Sequence, residues 1–458
     1  MATSPRAAHE GAPAPPLGPP RPVVWPPRTL RRLDNGLQVV LVEAHTIPKI
    51  TAQLFARSGD AAGGREGAGV AELTAAVVRA GTSARDRQRI EEDLRRMGAD
   101  LATSSGADSS VISISGLAEF SRQIMGLAAE VARDATFPAA EFERERTKRL
   151  EELKIERATP GFLAGERLRH VLFGEHPYAV VAPTPAQIEA ARREHLEDFY
   201  RRHYTPENAV LIVVGDFAAA QMLDEIGDAF GNWRGSAPPP ASEPALPALS
   251  GRCVFLVDLP GTDQAQVLVG NRAITRRDPD WLALTLANSI LGGAFNSRLV
   301  ANIREQKGYS YSPRSAAHAL RRHGYFSVHA AVRNAVTAAT LTEIFYELDR
   351  MRALPVGDEE LADARNYLGG VFSLGLATQD GLAGQLTTLF LNELPADYLE
   401  TYREKIAALS AQVVLSAARR WFDSVNAQIV VVGDRAEIYE QAAQFGEVEV
   451  WDREGNWK

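Results

Sequence analysis

Cysteine is almost missing from this chain. One residue, Cys253, occurs among 458, which excludes an internal disulfide framework and any site built from several thiolates. Long apolar runs are missing too. Nowhere do 18 apolar residues follow one another, so no transmembrane helix is expected. Lys and Arg number 50 against 58 Asp and Glu, a net charge of −8. No stretch concentrates cations densely enough to track phosphates, so nucleic acid is not an expected partner. There is no G-x-S-x-G elbow, no Walker loop and no dinucleotide fingerprint. The nine histidines are His9, His45, His170, His176, His195, His203, His318, His323 and His329, and no two are spaced i, i+4. Two imidazoles on one helix face need that spacing.

What is present is an ordinary globular composition, 45% hydrophobic and 24% charged, ample for a large core. Residues 1–27 are rich in proline and read as an extended, mostly disordered tail. They hold no apolar stretch of the kind a secretory signal needs. The expected compartment is therefore the cytoplasm, or the periplasm if an export signal is missing from this sequence.

Two segments echo each other. Residues 201–216 read RRHYTPENAVLIVVGD and residues 419–434 read RRWFDSVNAQIVVVGD. The Arg pairs, the aromatic residues, Asn208 and Asn426, and the closing Val-Val-Gly-Asp coincide. A second pair, EFERER from Glu141 and ELADAR from Glu360, lies at nearly the same offset. Two matches in register point to a duplicated unit of about 200 residues. A Pro-rich seam at 233–252, with Pro238, Pro239, Pro240, Pro244 and Pro247, reads as a semi-rigid linker. The expected organisation is a domain at 28–232, the linker, and a second domain at 253–458.

The elements inside each half mix. RTLRRLDNGLQVVLVE carries an Asp34-Asn35-Gly36 turn between two β-rich runs, a hairpin signal. ITAQLFARSGD and SSVISISGL alternate as strands do. Helices are expected over 67–79, within ARDRQRIEEDLRRMGAD, and over about 119–134 and 138–157. Strands followed by runs of helices give an α+β class, with each half a largely antiparallel sheet covered by helices on one face.

Three stretches, taken together, resemble the pitrilysin/insulinase family of zinc metallopeptidases, the inverted zincins with an H-x-x-E-H helix. They are LDNGLQVVLVEAHTIPKITAQLFARSGDAAG with GVAELTAAVVRAGT; ERERTKRLEELKIERATPG with FGEHPY and TPENAVLIVVGD; and LGGAFNSRLVANIREQKGYSYS. The resemblance implies two similar α+β domains facing each other across a chamber. It also sets out a degenerate zinc helix. The family frame G-x-A-H-x-x-E-H-x-x-x-x-G-T falls on Gly69, Ala71, Gly81 and Thr82, but the two histidine positions are Glu72 and Ala76. The general-base position is Ala75, a methyl group that cannot take a proton. The third ligand position maps onto Glu152 and a supporting carboxylate onto Glu145. No metal is expected in this chain. Glu72, Glu145 and Glu152 as ligands of a hard cation is the alternative, against plain helix-surface glutamates.

The resemblance further implies that Arg304 and Tyr311, seven apart in IREQKGYSY, bind the substrate carbonyl next to the scissile bond. The competing reading is a surface ion pair for Arg304 and an amphipathic strand position for Tyr311. Tyr309 is the rival for Tyr311, Arg298 reads as an ion-pair residue, and His176 as part of a turn after a helix. By this resemblance the chain is a non-catalytic subunit of a two-chain zinc peptidase, inactive alone. It expects a zinc-bearing partner with H-x-x-E-H intact and a peptide substrate. The alternative is a structural core subunit or scaffold with no peptidase role.

Overall fold

The structure is a computed structural model that describes residues 23, 25–239 and 243–454. Most of the proline-rich tail and Pro240 of the linker lie outside the described residues. The end of the tail is described: Trp25 is partly buried, with its ring 6.3 Å from that of Phe372.

Among the described residues, twelve strands build two sheets. The first half supplies β1 (Arg28–Arg32), β2 (Gln38–Glu43), β3 (Lys49–Ala56), β4 (Asp100–Ser105), β5 (Ser110–Leu117) and β6 (Ala209–Gly215). The second supplies β7 (Cys253–Asp258), β8 (Gln264–Ala273), β9 (Arg314–Ala319), β10 (Gly324–Arg333), β11 (Gln428–Gly433) and β12 (Glu447–Trp451). The sheet orders are β1-β2-β6-β3-β5-β4 and β12-β7-β11-β8-β10-β9. Pairing is mainly antiparallel, with parallel ladders at β2/β6 in the first sheet and at β11/β7 and β12/β7 in the second. The fold is α+β, as the sequence implies. The Asp34-Asn35-Gly36 turn closes the β1/β2 hairpin, with Gly36 at φ 92°. The two echoing segments fall at the same place in each half, a helix end followed by the third strand of the sheet order, β6 or β11.

Each half packs its own helices on one face of its sheet. In the first, Val39, Leu41, Ile50 and Leu54 meet the helices Val70–Val77 and Ser121–Arg133. In the second, Val267, Val269 and Val431 meet the helices Trp281–Asn288 and Thr337–Ala353. The opposite faces are covered as well. The central strands β6 and β11 are buried at every position, and β2 is buried at its four central ones. Their near-continuous apolar runs mark strands packed on both sides.

Each second face is covered by a helix from the other half. The helix Gln379–Leu391 lays Leu382, Leu386 and Leu389 over Val40, Val42, Val210 and Ile212. Polar contacts fix its register: Thr51 Oγ1 donates to Asp380 Oδ1 at 2.7 Å and Thr387 Oγ1 donates to Gln53 Oε1 at 2.9 Å. The helix Pro160–Phe173 lays Leu163, Leu168 and Leu172 over Phe255, Leu268, Val430 and Val432. Gly270 of β8 makes room, since a Cβ there would stand 2.8 Å from Leu168 Cδ2 and 2.9 Å from the Phe326 carbonyl oxygen. The Arg167 guanidinium also lies 3.8 Å from the Trp451 ring centroid.

This packing can be tested at two points. Leu168→Ala and Leu386→Ala each remove a fully buried side chain from an exchanged helix. Each should cost about 2–5 kcal/mol in urea denaturation, and a loss below about 0.5 kcal/mol would show that the exchanged helices do not hold the halves. The second test concerns His318 on β9 and His329 on β10. Burial, with Arg169 near one and Arg314 near the other, lowers both from the ordinary 6.5 to about 4. The unfolded chain takes up these protons near pH 6.5 and the folded chain only near 4. Stability from these neutral imidazoles is therefore present above about pH 6.5 and is lost as pH falls toward about 4. Denaturation at about pH 7 and about pH 5 should show a drop that shrinks in His329→Gln; an equal drop would exclude His329 as a source.

Candidate functional site

The stretch that the family resemblance aligns with the zinc motif forms the helix Val70–Val77. It starts at Gly69, which sits in the left-handed region at φ 86° with Ile188 and Pro183 packed where a side chain would be. Its apolar residues Ala71, Leu73, Ala75 and Val77 are buried. After it, Thr82 Oγ1 accepts the N–H groups of Ala84 at 3.3 Å and Arg85 at 3.0 Å, closing the Gly81-Thr82 turn. Ala75, which the resemblance aligns with the general-base position, is 2% exposed and offers only a methyl group.

The helix Ala139–Arg157 packs beside it. Glu145, Arg149, Glu152 and Glu156 recur on it at spacings of four, three and four, which places them along one side. Arg149 is the buried member, 7% exposed. Its Nε lies 2.8 Å from Glu72 Oε1, a close ion pair off the N–H axis. Its Nη1 donates to Glu156 Oε1 at 3.0 Å and lies 3.9 Å from Glu152 Oε2. Lys148 Nζ adds a second cation 3.5 Å from Glu152 Oε1, and Arg144 Nη2 donates to Glu145 Oε1 at 2.6 Å. Burial pushes the Glu72 carboxyl up from its usual range, and the Arg149 charge pulls it back in part. Burial works against the Arg149 guanidinium, but Glu156 and Glu72 more than offset it and keep it charged.

Zinc does not fit these residues. The helix offers no imidazole, the two carboxylates at ligand positions share a buried guanidinium, and no base can activate a water. One group of metal-ligand type lies elsewhere among the described residues: His176, Glu243 and His323, with ligand atoms within 4.8 Å of one another. His176 Nδ1 accepts the Tyr178 N–H at 3.1 Å, so the neutral ring carries its proton on Nε2, the atom facing Glu243. Arg322 Nη1 already holds Glu243 Oε1 at 2.5 Å. The ion pair here is Arg322 with Glu243, and the two imidazoles, held toward the neutral form by burial, complete a polar cluster between the two halves. His176 caps a short turn, Pro177–Ala179, after the helix Pro160–Phe173.

The second half brings Arg304 and Tyr311 together. Arg304 lies in a π-helical stretch, Val300–Gln306, and Tyr311 in the loop before β9. The Arg304 guanidinium carbon stands 4.6 Å from the Tyr311 ring centroid. Phe295, which the sequence reading did not single out, stacks on the same guanidinium at 5.0 Å. Both rings are exposed, Phe295 at 72% and Tyr311 at 80%, although large apolar rings usually pack away from water. Arg304 Nε also pairs with Glu305 at 3.1 Å. Tyr309, the rival, packs against the second core. Arg298 forms a bidentate pair with Glu360, both contacts 2.7 Å, and is an ion-pair residue. In sequence the signal near Phe295 is the pair of glycines before Ala294; in the structure they end a π-helical turn, Ser289–Gly293.

Comparison with known proteins gives the family and the fold. Residues 38–178 match the family model described as insulinase (peptidase family M16), and residues 190–368 match the model described as peptidase M16 inactive domain. An uncharacterised zinc protease of Mycobacterium leprae is 27% identical over 79% of this chain and 81% of its own length. One of Streptomyces coelicolor is 29% identical, but the match spans 53% of this chain and only 54% of that relative. The crystal structure of a peptidase M16 inactive domain from Pseudomonas fluorescens superposes with a TM-score of 0.82 at 26% identity, covering 89% of this chain and 98% of that one. No helix among the described residues is long and apolar enough to cross a membrane. The two M16 models together cover most of the chain, and the protein belongs to the pitrilysin/insulinase family of metallopeptidases, M16.

Proposed function

We propose that this chain is a non-catalytic subunit of a two-chain M16 peptidase. The observation that carries the proposal is the half-buried Arg304 stacked on the exposed Tyr311, its guanidinium carbon 4.6 Å from the ring centroid, in a chain whose zinc-helix positions are Glu72 and Ala76. A guanidinium on the face of a phenol leaves the phenol O–H free at the ring edge and keeps guanidinium N–H groups directed past it. Two such donors polarise a peptide carbonyl and stabilise the negative charge that develops on its oxygen. The hydrolytic water and the metal come from the partner, a chain with H-x-x-E-H intact. This chain binds the peptide, orients its carbonyl and excludes water from one side. Phe295 lends a third surface to the same cation.

The two halves, 28–232 and 253–458, we read as copies of one unit joined by the linker at 233–252. The like positions of the echoing segments and the like order of the five strands β2, β6, β3, β5, β4 and β7, β11, β8, β10, β9 support that reading.

The assignment has two tests. Arg304→Ala and Tyr311→Phe, each in the complex with the zinc-bearing chain, should lower kcat/KM for a peptide on the order of 10²-fold. Undiminished activity in both variants would overturn the role, and a stable assembly lacking any zinc-bearing chain would favour the scaffold alternative. The isolated chain should neither hold stoichiometric zinc after dialysis nor cleave peptides. One zinc per chain by atomic emission, or peptidase activity without a partner, would contradict the proposal.

A further inference from the structure

Arg149 stands between two of the positions that the family resemblance aligns with metal ligands, Glu72 and Glu152. Of the three carboxylates paired with it, Glu72 maps onto the first ligand position and Glu152 onto the third. They come from two helices, Val70–Val77 and Ala139–Arg157. The cation between them is a side chain of the protein. A guanidinium at 7% exposure is costly to bury and persists only where carboxylates surround it. It cannot lose its proton in the working pH range. A divalent ion placed among the same oxygens would sit within a few ångströms of a fixed positive charge, and it would have to take Glu72 from that charge.

We propose that Arg149 is a built-in cation that replaces the metal at the zinc helix, tying the two helices together and barring divalent ions. This rests on the reading of Val70–Val77 as the zinc helix. It goes further in holding that the site is closed by an added residue, so that restoring the lost ligands alone would not reopen it.

The test restores the motif with and without the guanidinium. The triple variant E72H/A75E/A76H keeps Arg149; the quadruple variant adds R149V. Zinc is titrated into each purified full chain against a chromophoric chelator, and zinc content is measured after dialysis. The quadruple variant should bind one zinc per chain, and the triple variant should bind at least about 100-fold more weakly. Tight and equal binding by both would overturn the role of Arg149 while leaving the zinc-helix reading standing. Failure of both to bind would overturn that reading and the proposal with it. Far-ultraviolet circular dichroism reports folding, and if R149V disrupts it, R149V/E156Q removes the unpaired carboxylate and carries the same comparison.

Discussion

Strand β6 is buried at all seven positions and β11 at all six, and that burial constrains the rest of the molecule. A strand apolar on both faces must have both faces covered. One half's own helices reach only one face. The second face of each sheet is closed by a helix from the opposite half, Gln379–Leu391 over the first sheet and Pro160–Phe173 over the second. The exchange makes each core incomplete without the other half. It also anchors the helix that carries Arg149, since Ala139–Arg157 runs on through a two-residue turn into Pro160–Phe173. The Arg322–Glu243 ion pair, with His176 and His323 beside it, adds a polar clasp between the two halves.

The two candidate sites differ in how their charge is handled. At the first, a buried guanidinium is matched by Glu72 and Glu156 and approached by Glu152. Buried charge paired in this way is a structural unit whose oxygens are already engaged. At the second, Arg304 carries a single carboxylate neighbour among the described residues, Glu305, and lies against two exposed rings. Exposed aromatic surface beside a cation is a feature of surfaces that meet another molecule. On the function proposed above, the closed site stands where the family binds its metal and the open one where it holds the peptide carbonyl.

Much of this was legible in the sequence. The Asp34-Asn35-Gly36 turn, the alternation of SSVISISGL and the helices over 119–134 and 138–157 appear where local patterns place them, at β1/β2, β5, Ser121–Arg133 and Ala139–Arg157. These are local signals, set by turn chemistry and side-chain period. The Arg304/Tyr311 contact was legible only through a family spacing. The polar strand DLATSS, β4, was not expected, because its pairing with β5 supplies what its own residues do not. The continuous apolar runs of β2, β6 and β11 carried the signal for two covered faces, yet nothing local names the helix that covers the second.

The α+β class, the echo between the two halves, the lack of imidazoles at Glu72 and Ala76, and the residue types available for carbonyl binding can all be read along the chain. The class follows from composition and period and the echo from a repeated spacing, while the significance of Glu72, Ala76, Arg304 and Tyr311 is what the family resemblance implies. Three features arise only on folding: which helix closes which sheet, the meeting of Arg149 with Glu72 across 77 positions of chain, and the stacking of Phe295 on Arg304. Such pairings depend on the burial of one element against another, and burial is a property of the folded whole that no local stretch of chain contains.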